Sequence, residues 1–221
     1  MRAGQTAYKE YNGVTYQCAL FPLDHLNCTQ TSGPNSYSHC CGTATDWVGS
    51  HSTYPYYAPC DCHRISLSGS DNICMYVSDR QVLTPSGPSY LAFLFMHDNN
   101  PPSQTSFNQG DLIGHTGTAG FVTGDHVHLD QSLTTSISLV NSGQTCSAGN
   151  TCWMVPNGVR PYSAYFITDE DTIVNLAGQN FTLLDDYIPG PGPSGGSGSL
   201  GLGLILGIGA GRKKYFGLRG R

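Results

Sequence analysis

Two histidines, His126 and His128, stand one residue apart within the stretch Gly110–Asp130. Val127 and Leu129 alternate with polar neighbours there, which is typical of a strand, whose successive side chains point to opposite faces. The two imidazoles therefore share one face, with backbones roughly 7 Å apart. One ring could hold a metal ion while the other acts on a water molecule at that ion. Taken alone, the pair also fits two surface histidines on a solvated sheet face.

His39 and Asp46 form a second candidate pair, seven positions apart. On a straight helix they would lie about 10 Å apart along the axis. On a straight strand they would face opposite sides. If both bind one ion, the backbone must fold back between them, and Gly42 is placed to permit that turn.

The elements that position these residues are predicted to be strands. The apolar run Tyr90–His97 predicts a central strand, buried on both faces, that delivers His97 at its end. Further strands are predicted at Val14–Phe21, His63–Leu67, Ile73–Ser78 and Gln81–Leu83, with the last strands within Val159–Leu184 and a polar excursion at Ser132–Thr151. The 221 residues include 28 Gly, 13 Pro and 13 Tyr, and this composition favours a loop-rich β protein over a helical bundle.

The distribution of charge divides the chain. The last ten residues carry five basic side chains, so residues 1–211 carry 5 basic against 15 acidic residues, a net charge of −10. An acidic body argues against nucleic-acid binding. We therefore predict no nucleic-acid partner.

The composition also changes along the chain, after Asp186. A Gly/Pro-rich linker is followed by an apolar, glycine-rich stretch of eleven residues and the basic end RKKYFGLRGR. We predict a catalytic body at residues 1–186 and a separate tail at 187–221. Eleven residues are too few to span a bilayer as a helix. A flexible or partner-ordered peptide is the simpler expectation for the tail, and contact with a membrane surface is the alternative.

The nine cysteines leave the redox state open. The opening MRAGQTAYKEYNG lacks the apolar segment of a secretion signal, so the usual route to an oxidising compartment is not indicated. Cys146 and Cys152 bracket a short polar loop and could close a local disulfide or remain unpaired. Cys60-Asp61-Cys62-His63 lacks the usual two-residue gap of a metal cluster, and we predict that it belongs to a buried strand.

Four sequence features together resemble the lysostaphin-type zinc metalloendopeptidases, which cleave peptide cross-links in bacterial peptidoglycan. They are His39-x6-Asp46, Tyr57-Ala58-Pro59, the strand ending in His97, and GTAGFVTGDHVHLD. Most members have a shorter gap between the first His and Asp. The wider gap here is similar to the branch found in tail-knob endopeptidases of short-tailed bacteriophages. The resemblance runs from about Cys18 to Leu184 and implies an antiparallel β-sheet core with long loops and little helix.

The resemblance assigns a role to each of five residues. It implies that His39, Asp46 and His128 hold Zn²⁺, and that His97 and His126 are catalytic histidines that do not bind the metal. Three protein ligands would leave a fourth position for water, which agrees with the usual catalytic zinc site. His126 would act as general base and His97 would donate to the developing oxyanion.

The resemblance also implies a setting. It predicts a virion-associated enzyme at the phage tail tip, in contact with tail proteins, that cuts the peptidoglycan peptide while the phage penetrates the host cell wall. Two alternatives remain open: a catalytically silent plug or adhesion module of the tail tip, and a lysin released at the end of infection. All five site positions hold the expected residue types, which argues for activity.

Overall fold

The computed structural model describes residues 1–169 and 172–175. In chain order the strands are β1 Tyr8–Tyr11, β2 Val14–Gln17, β3 Cys28–Gln30, β4 Thr45–Trp47, β5 Pro55–Tyr57, β6 Cys62–Ser68, β7 Ile73–Ser78, β8 Val82–Thr84, β9 Gly87–Ser89, β10 Ala92–Met96, β11 Ser106–Phe107, β12 Leu112–His115, β13 Val127–Ser132, β14 Val140–Thr145, β15 Thr151–Met154, β16 Phe166–Asp169 and β17 Thr172–Asn175. One four-residue helix, α1 Pro161–Ala164, precedes β16.

Seven of these strands form the central sheet, in the order β11-β6-β7-β10-β13-β4-β3. Neighbouring strands within it are antiparallel throughout. The other strands pair two by two, as β1–β2, β5–β12, β8–β9, β14–β15 and β16–β17. The predicted fold class, mainly antiparallel β with long loops and little helix, is confirmed over the described residues.

The middle strand of the sheet is β10, as the apolar run Tyr90–His97 predicted. Residues 92–95 are 1% exposed or less, because β7 and β13 flank the strand and apolar side chains cover both faces. His97 follows directly, with a φ of +81° that turns the chain away from the sheet. The strand therefore places His97 at the end of the middle strand, next to the candidate site.

The two faces of the sheet bury different clusters. Val127 and Leu129 of β13 join the main core, which includes Trp47, Tyr76 and Phe93. On the opposite face, Val77, Ala92 and Leu94 pack against Ile137 and Val155. Since side chains alternate along β13, His128 and Asp130 point to this second face. The candidate site and the smaller cluster thus share one side of the sheet.

Several strand predictions need correction in their extent. The strand expected at Val14–Phe21 ends at Gln17. The excursion Ser132–Thr151 contains β14, whose partner β15 runs to Met154. Both strands are largely exposed, so β14 lacks the alternation of apolar and polar residues that marks a half-buried strand. The strands at His63–Leu67, Ile73–Ser78 and Gln81–Leu83 are found within a residue or two as β6, β7 and β8.

The suggested local disulfide between Cys146 and Cys152 is wrong. Cys146 is bonded to Cys40 and Cys152 to Cys41, with Cα–Cα distances of 5.4 and 6.1 Å. In the β14–β15 hairpin, Thr145 lies opposite Thr151, so the two cysteines are not cross-strand partners. Instead, Cys146 and Cys152 both lie next to the consecutive cysteines Cys40 and Cys41.

The segment Cys60–His63 is not a metal cluster in the structure. Cys60 and Cys62 are fully buried, but only Cys62 and His63 lie in β6, and that strand is mostly exposed or half-buried, so the predicted buried strand needs correction. The predicted last strands appear as β16 and β17, as far as the chain is described. The predicted linker and tail at 187–221 lie outside the described residues. Within the described part, no helix has the length and apolarity needed to cross a membrane.

Candidate metal centre

The site is built on two neighbouring strands of the sheet. His128 of β13 lies directly opposite Asp46 of β4 in the antiparallel register. Directly opposite residues keep their side chains close together, and here Nδ1 of His128 is 3.2 Å from Oδ1 of Asp46. The sheet itself therefore fixes the distance between these two predicted ligands.

His39 reaches the same carboxylate from a loop. Its Nε2 lies 3.6 Å from Oδ1 of Asp46. Between the two residues the chain folds back at Gly42, which has a φ of +72°. A Cβ at Gly42 would lie 2.9 Å from Cβ of Met154, so both the backbone conformation and the close approach favour glycine. The fold-back predicted at Gly42 is confirmed.

The three side chains leave polar atoms that a cation would satisfy. Ligand atoms of His39, Asp46 and His128 all lie within 4.8 Å of one another. Oδ1 of Asp46 and Nδ1 of His39 are buried with no hydrogen-bond partner. Unpaired buried polar atoms are rare in folded proteins, and each costs about 1–3 kcal/mol. Two imidazoles and one carboxylate are ligands typical of catalytic zinc sites, so the residues fit a divalent metal.

The protonation states of the three groups also suit a cation. Burial lowers the pKa of His39 to about 4, which leaves its ring neutral at pH 7. Burial alone would raise the pKa of Asp46, but His39 and His128 hold that pKa well below its usual range. Burial would lower the pKa of His128, yet the nearby carboxylate of Asp46 raises it. The charged carboxylate beside the neutral ring of His39 therefore suits a cation.

The two predicted catalytic histidines stand beside this cluster. The ring centroid of His97 is 4.7 Å from that of His126 and 6.1 Å from that of His128. Nε2 of His126 lies 3.7 Å from Oδ1 of Asp46. The structure thus brings all five sequence-predicted site residues to one place.

Backbone carbonyls fix the tautomer of both rings. Nδ1 of His126 is 2.9 Å from the Gly124 carbonyl oxygen, and Nδ1 of His97 is 2.8 Å from that of Ala119. A carbonyl can only accept, so each Nδ1 carries the proton and each neutral ring has its lone pair on Nε2. Burial lowers the pKa of His97 to about 4. Donation to an oxyanion from Nε2 of His97 therefore requires that this ring first take up a proton.

Sequence reasoning missed Gly117 as part of the site. Gly117 and His126 exchange backbone hydrogen bonds of 3.0 and 3.1 Å. A Cβ at Gly117 would lie 3.0 Å from the amide nitrogen of Asn99 and nearer still to the carbonyl oxygen of His97. Gly117 thus holds the backbones of both catalytic positions together. Its place in a run of glycines was visible in the sequence, but the distant segment that it contacts was not.

Asp71 is a second residue that sequence reasoning missed. It lies in the turn between β6 and β7, where its Oδ1 accepts a hydrogen bond of 2.9 Å from the amide of Phe121. The same oxygen is 3.9 Å from Nδ1 of His97. Asp71 therefore connects the loop that carries Phe121 to His97, one of the two predicted catalytic histidines.

The five residues open into a cleft of about 600 Å³. Apolar side chains line it next to the histidines, among them Ile73, Met96 and Leu139. Two exposed aromatic side chains also line it: Phe121 is 78% exposed and Trp153, from β15, is 54% exposed. Exposed aromatic rings beside a polar centre suit the binding of an extended chain such as a peptide.

Comparison with known proteins gives similar sequences and similar structures. The chain is 39% identical over 118 residues to Morphogenesis protein 1 of Bacillus phage B103. The match covers 52% of this chain and 32% of that protein, so the chain spans about a third of the length of this relative. No family model matches the chain.

The similar solved structures are peptidases and a related protein. They include a zinc-containing peptidase from Vibrio cholerae, 15% identical with a TM-score of 0.39 over 58% of this chain and 43% of that one. LytU is 16% identical, with a TM-score of 0.40 over 52% of this chain and 79% of its own. The catalytic domain of lysostaphin from Staphylococcus simulans is 16% identical, with a TM-score of 0.33 over 56% and 80%.

Proposed function

We propose that this protein is a zinc metalloendopeptidase that cleaves peptide cross-links of bacterial peptidoglycan. The observation that carries the proposal is the convergence of His39, Asp46 and His128 at the base of an open cleft, with their ligand atoms within 4.8 Å. His97 and His126 flank the three without being needed as ligands. A zinc ion held by the three side chains would lower the pKa of a bound water to about 7 and polarise a carbonyl oxygen.

His126 and His97 would then carry out the proton transfers of the reaction. Nε2 of His126 carries a lone pair and faces the centre, so it accepts a proton from the attacking water. The Gly124 carbonyl holds the ring in this tautomer and stabilises the charge that it acquires. His126 then passes this proton to the leaving amine. His97 starts as a neutral ring, takes a proton at Nε2 from water in the open cleft, and then donates to the negatively charged oxygen.

The substrate is proposed from the shape of the cleft and the sequence resemblance together. The cleft is open, partly apolar, and bordered by Phe121 and Trp153, so an extended peptide can lie across the histidines. The resemblance to lysostaphin-type enzymes supports a peptidoglycan peptide as that substrate. A structure with bound substrate would show which peptide bond is cut.

The biological setting of the enzyme is proposed from the sequence comparison. Similarity to a phage morphogenesis protein supports a role on the phage particle, where the enzyme would contact tail proteins and act on the host wall. The tail-tip position and the tail-knob branch stay predictions. Electron microscopy of particles labelled with an antibody against this chain would test the position.

The test of the activity is metal analysis combined with hydrolysis. Purified protein should contain one zinc per chain and release muropeptides from candidate cell walls, which mass spectrometry would identify together with the bond that is cut. His51→Ala is a suitable control, because His51 is exposed and its Nδ1 contacts the carbonyl of the adjacent Ser52. Zinc binding without hydrolysis of any cell wall would favour the catalytically silent alternative.

A further inference from the structure

Two disulfides fasten the loop of His39 to the β14–β15 hairpin. The residues directly after His39 are Cys40 and Cys41, and they bond to Cys146 and Cys152, at sequence separations of 106 and 111 residues. The hairpin that receives them carries Trp153 and Thr151, which line the cleft. The two disulfides thus connect the loop of a predicted metal ligand to a wall of the proposed substrate cleft.

Leu139 and Val155 flank the two strands and hold the base of the hairpin against the smaller cluster, but beyond that base it has little else to hold it in place. Its strands pair only with each other among the described residues. Most of their side chains are exposed, and buried Cys152 is the exception within them. One backbone hydrogen bond from Ala148 to the carbonyl of Tyr37 joins the hairpin tip to the His39 loop. A segment with so few buried apolar contacts depends on cross-links for a fixed position.

The loop of His39 is also held by few contacts. The carbonyl of His39 accepts a hydrogen bond from Gly33, and its amide donates one to Oγ of Ser36. Both partners belong to the same loop. Two side-chain hydrogen bonds tie the loop to the sheet, from Gln30 to Oγ of Ser38 and from Thr43 to Asp130, but neither is made by His39 itself. By contrast, His128 and Asp46 are fixed by strand pairing. His39 is therefore the predicted ligand whose position depends most on the disulfides.

We infer that Cys40, Cys41, Cys146 and Cys152 are positioning residues of the metal centre, and that opening their two disulfides weakens metal binding by releasing His39. This inference rests on the proposed function, because it takes His39 as a ligand. Removing groups that orient metal ligands typically weakens affinity by about 10–100-fold. The closed loops are long, so opening them also raises the conformational entropy of the unfolded chain and lowers the stability of the fold.

A reductant should act only on the two disulfides, because the other described cysteines are buried thiols. The other five cysteines are 4% exposed or less. Burial raises the pKa of Cys60, Cys62 and Cys74, which keeps these groups as unreactive thiols at neutral pH. Cys40 and Cys41 are half-buried, so a small reductant can reach the bridges from their side.

The test compares zinc affinity of the full chain before and after reduction. A water-soluble phosphine breaks each S–S bond to give two thiols, and the phosphine takes oxygen from one water molecule to become its oxide. After removal of the phosphine without air, zinc affinity is measured by competition with a chromophoric chelator, far below the melting temperature. We expect affinity about 10–100-fold weaker in the reduced protein, with faster hydrogen exchange at residues 36–42 and 140–154.

A variant with serine at all four positions is the matched control. It should bind zinc as weakly as the reduced protein and should not respond to the phosphine. If it does not fold, Cys41→Ser/Cys152→Ser keeps the Cys40–Cys146 bridge and should show an intermediate loss that reduction completes. A merely structural role would lower the melting temperature and leave zinc affinity unchanged.

The possible results separate the inference from the proposed function. Equal affinity in the oxidised and reduced states overturns the inference and leaves the proposed metal centre intact. A second zinc per reduced chain also overturns it, because the sulfurs of Cys40, Cys146 and Cys152 lie within 4.8 Å and would then form a metal site of their own. Absence of zinc binding in both states refutes the proposed function itself.

Discussion

Gly117→Ala should abolish most hydrolysis while leaving the metal ligands in place. The new Cβ would lie 3.0 Å from the amide nitrogen of Asn99 and closer still to the carbonyl oxygen of His97, whereas ordinary contact begins at 3.4 Å. These neighbours are backbone atoms, which cannot rotate away as a side chain can. The backbone at His97 must therefore move by roughly 1 Å, and misplacement on this scale can reduce the rate of a reaction about 10²-fold.

The affinity for zinc should change little, because strand pairing fixes His128 against Asp46, whereas Gly117 contacts the backbones of His97, Asn99 and His126. Overpacking should lower the free energy of unfolding by about 1–3 kcal/mol, which thermal denaturation would report. Thr118→Ala is the matched control, because Thr118 is the exposed neighbour of Gly117 and the change removes side-chain atoms instead of adding one. Wild-type hydrolysis by a folded Gly117→Ala protein would refute the view that this backbone contact positions the catalytic histidines.

Three further predictions concern the ligands, the response to pH and the tail. His128→Ala should lose most of its zinc, whereas His126→Ala and His97→Ala should keep it and lose about 10²–10⁴-fold in hydrolysis; full zinc occupancy in His128→Ala would contradict the ligand assignment. Burial lowers the pKa of His39 and of His97 to about 4, so the unfolded chain binds more protons between pH 6.5 and 4. Metal-free protein should therefore lose stability as pH falls through that range, by on the order of 1 kcal/mol per pH unit for each group, and denaturant titrations showing no such loss would contradict it. A chain truncated after Asp186 should keep zinc and hydrolysis but fail to join particles or bind anionic vesicles, and loss of hydrolysis by the isolated protein would place the tail in the catalytic unit.

The sheet-based part of the site could be predicted because its signals are local. Alternation around Val127 put His126 and His128 on one face, and the apolar run Tyr90–His97 marked the middle strand. Both patterns come from burial along a single strand, which a sequence displays directly. The fold-back at Gly42 was likewise a local requirement once His39 and Asp46 were taken as ligands of one ion.

The parts that could not be predicted depend on contacts between distant segments. The partners of Cys146 and Cys152 lie more than a hundred positions away, and only the folded chain brings them together. Gly117 is distinguished from its neighbouring glycines by the approach of the His97 backbone, whereas a Cβ at Gly124 would meet no atom within 4 Å. The β14–β15 hairpin was missed because it is solvent-exposed and polar, so the burial that produces periodicity is absent.

The three predicted ligands differ in what holds them, and this difference determines how the centre assembles. His128 and Asp46 face each other across a strand pair, so folding of the sheet alone sets their separation. His39 joins them from a loop that the disulfides tie to an exposed hairpin. A bound cation would tie the same loop to the sheet through His39, as the bridges do through Cys40 and Cys41. Cross-links and cation therefore restrict the same motion, and each should be most important to the stability of the loop when the other is absent. If so, the destabilisation caused by reduction should be smaller in zinc-loaded protein than in metal-free protein.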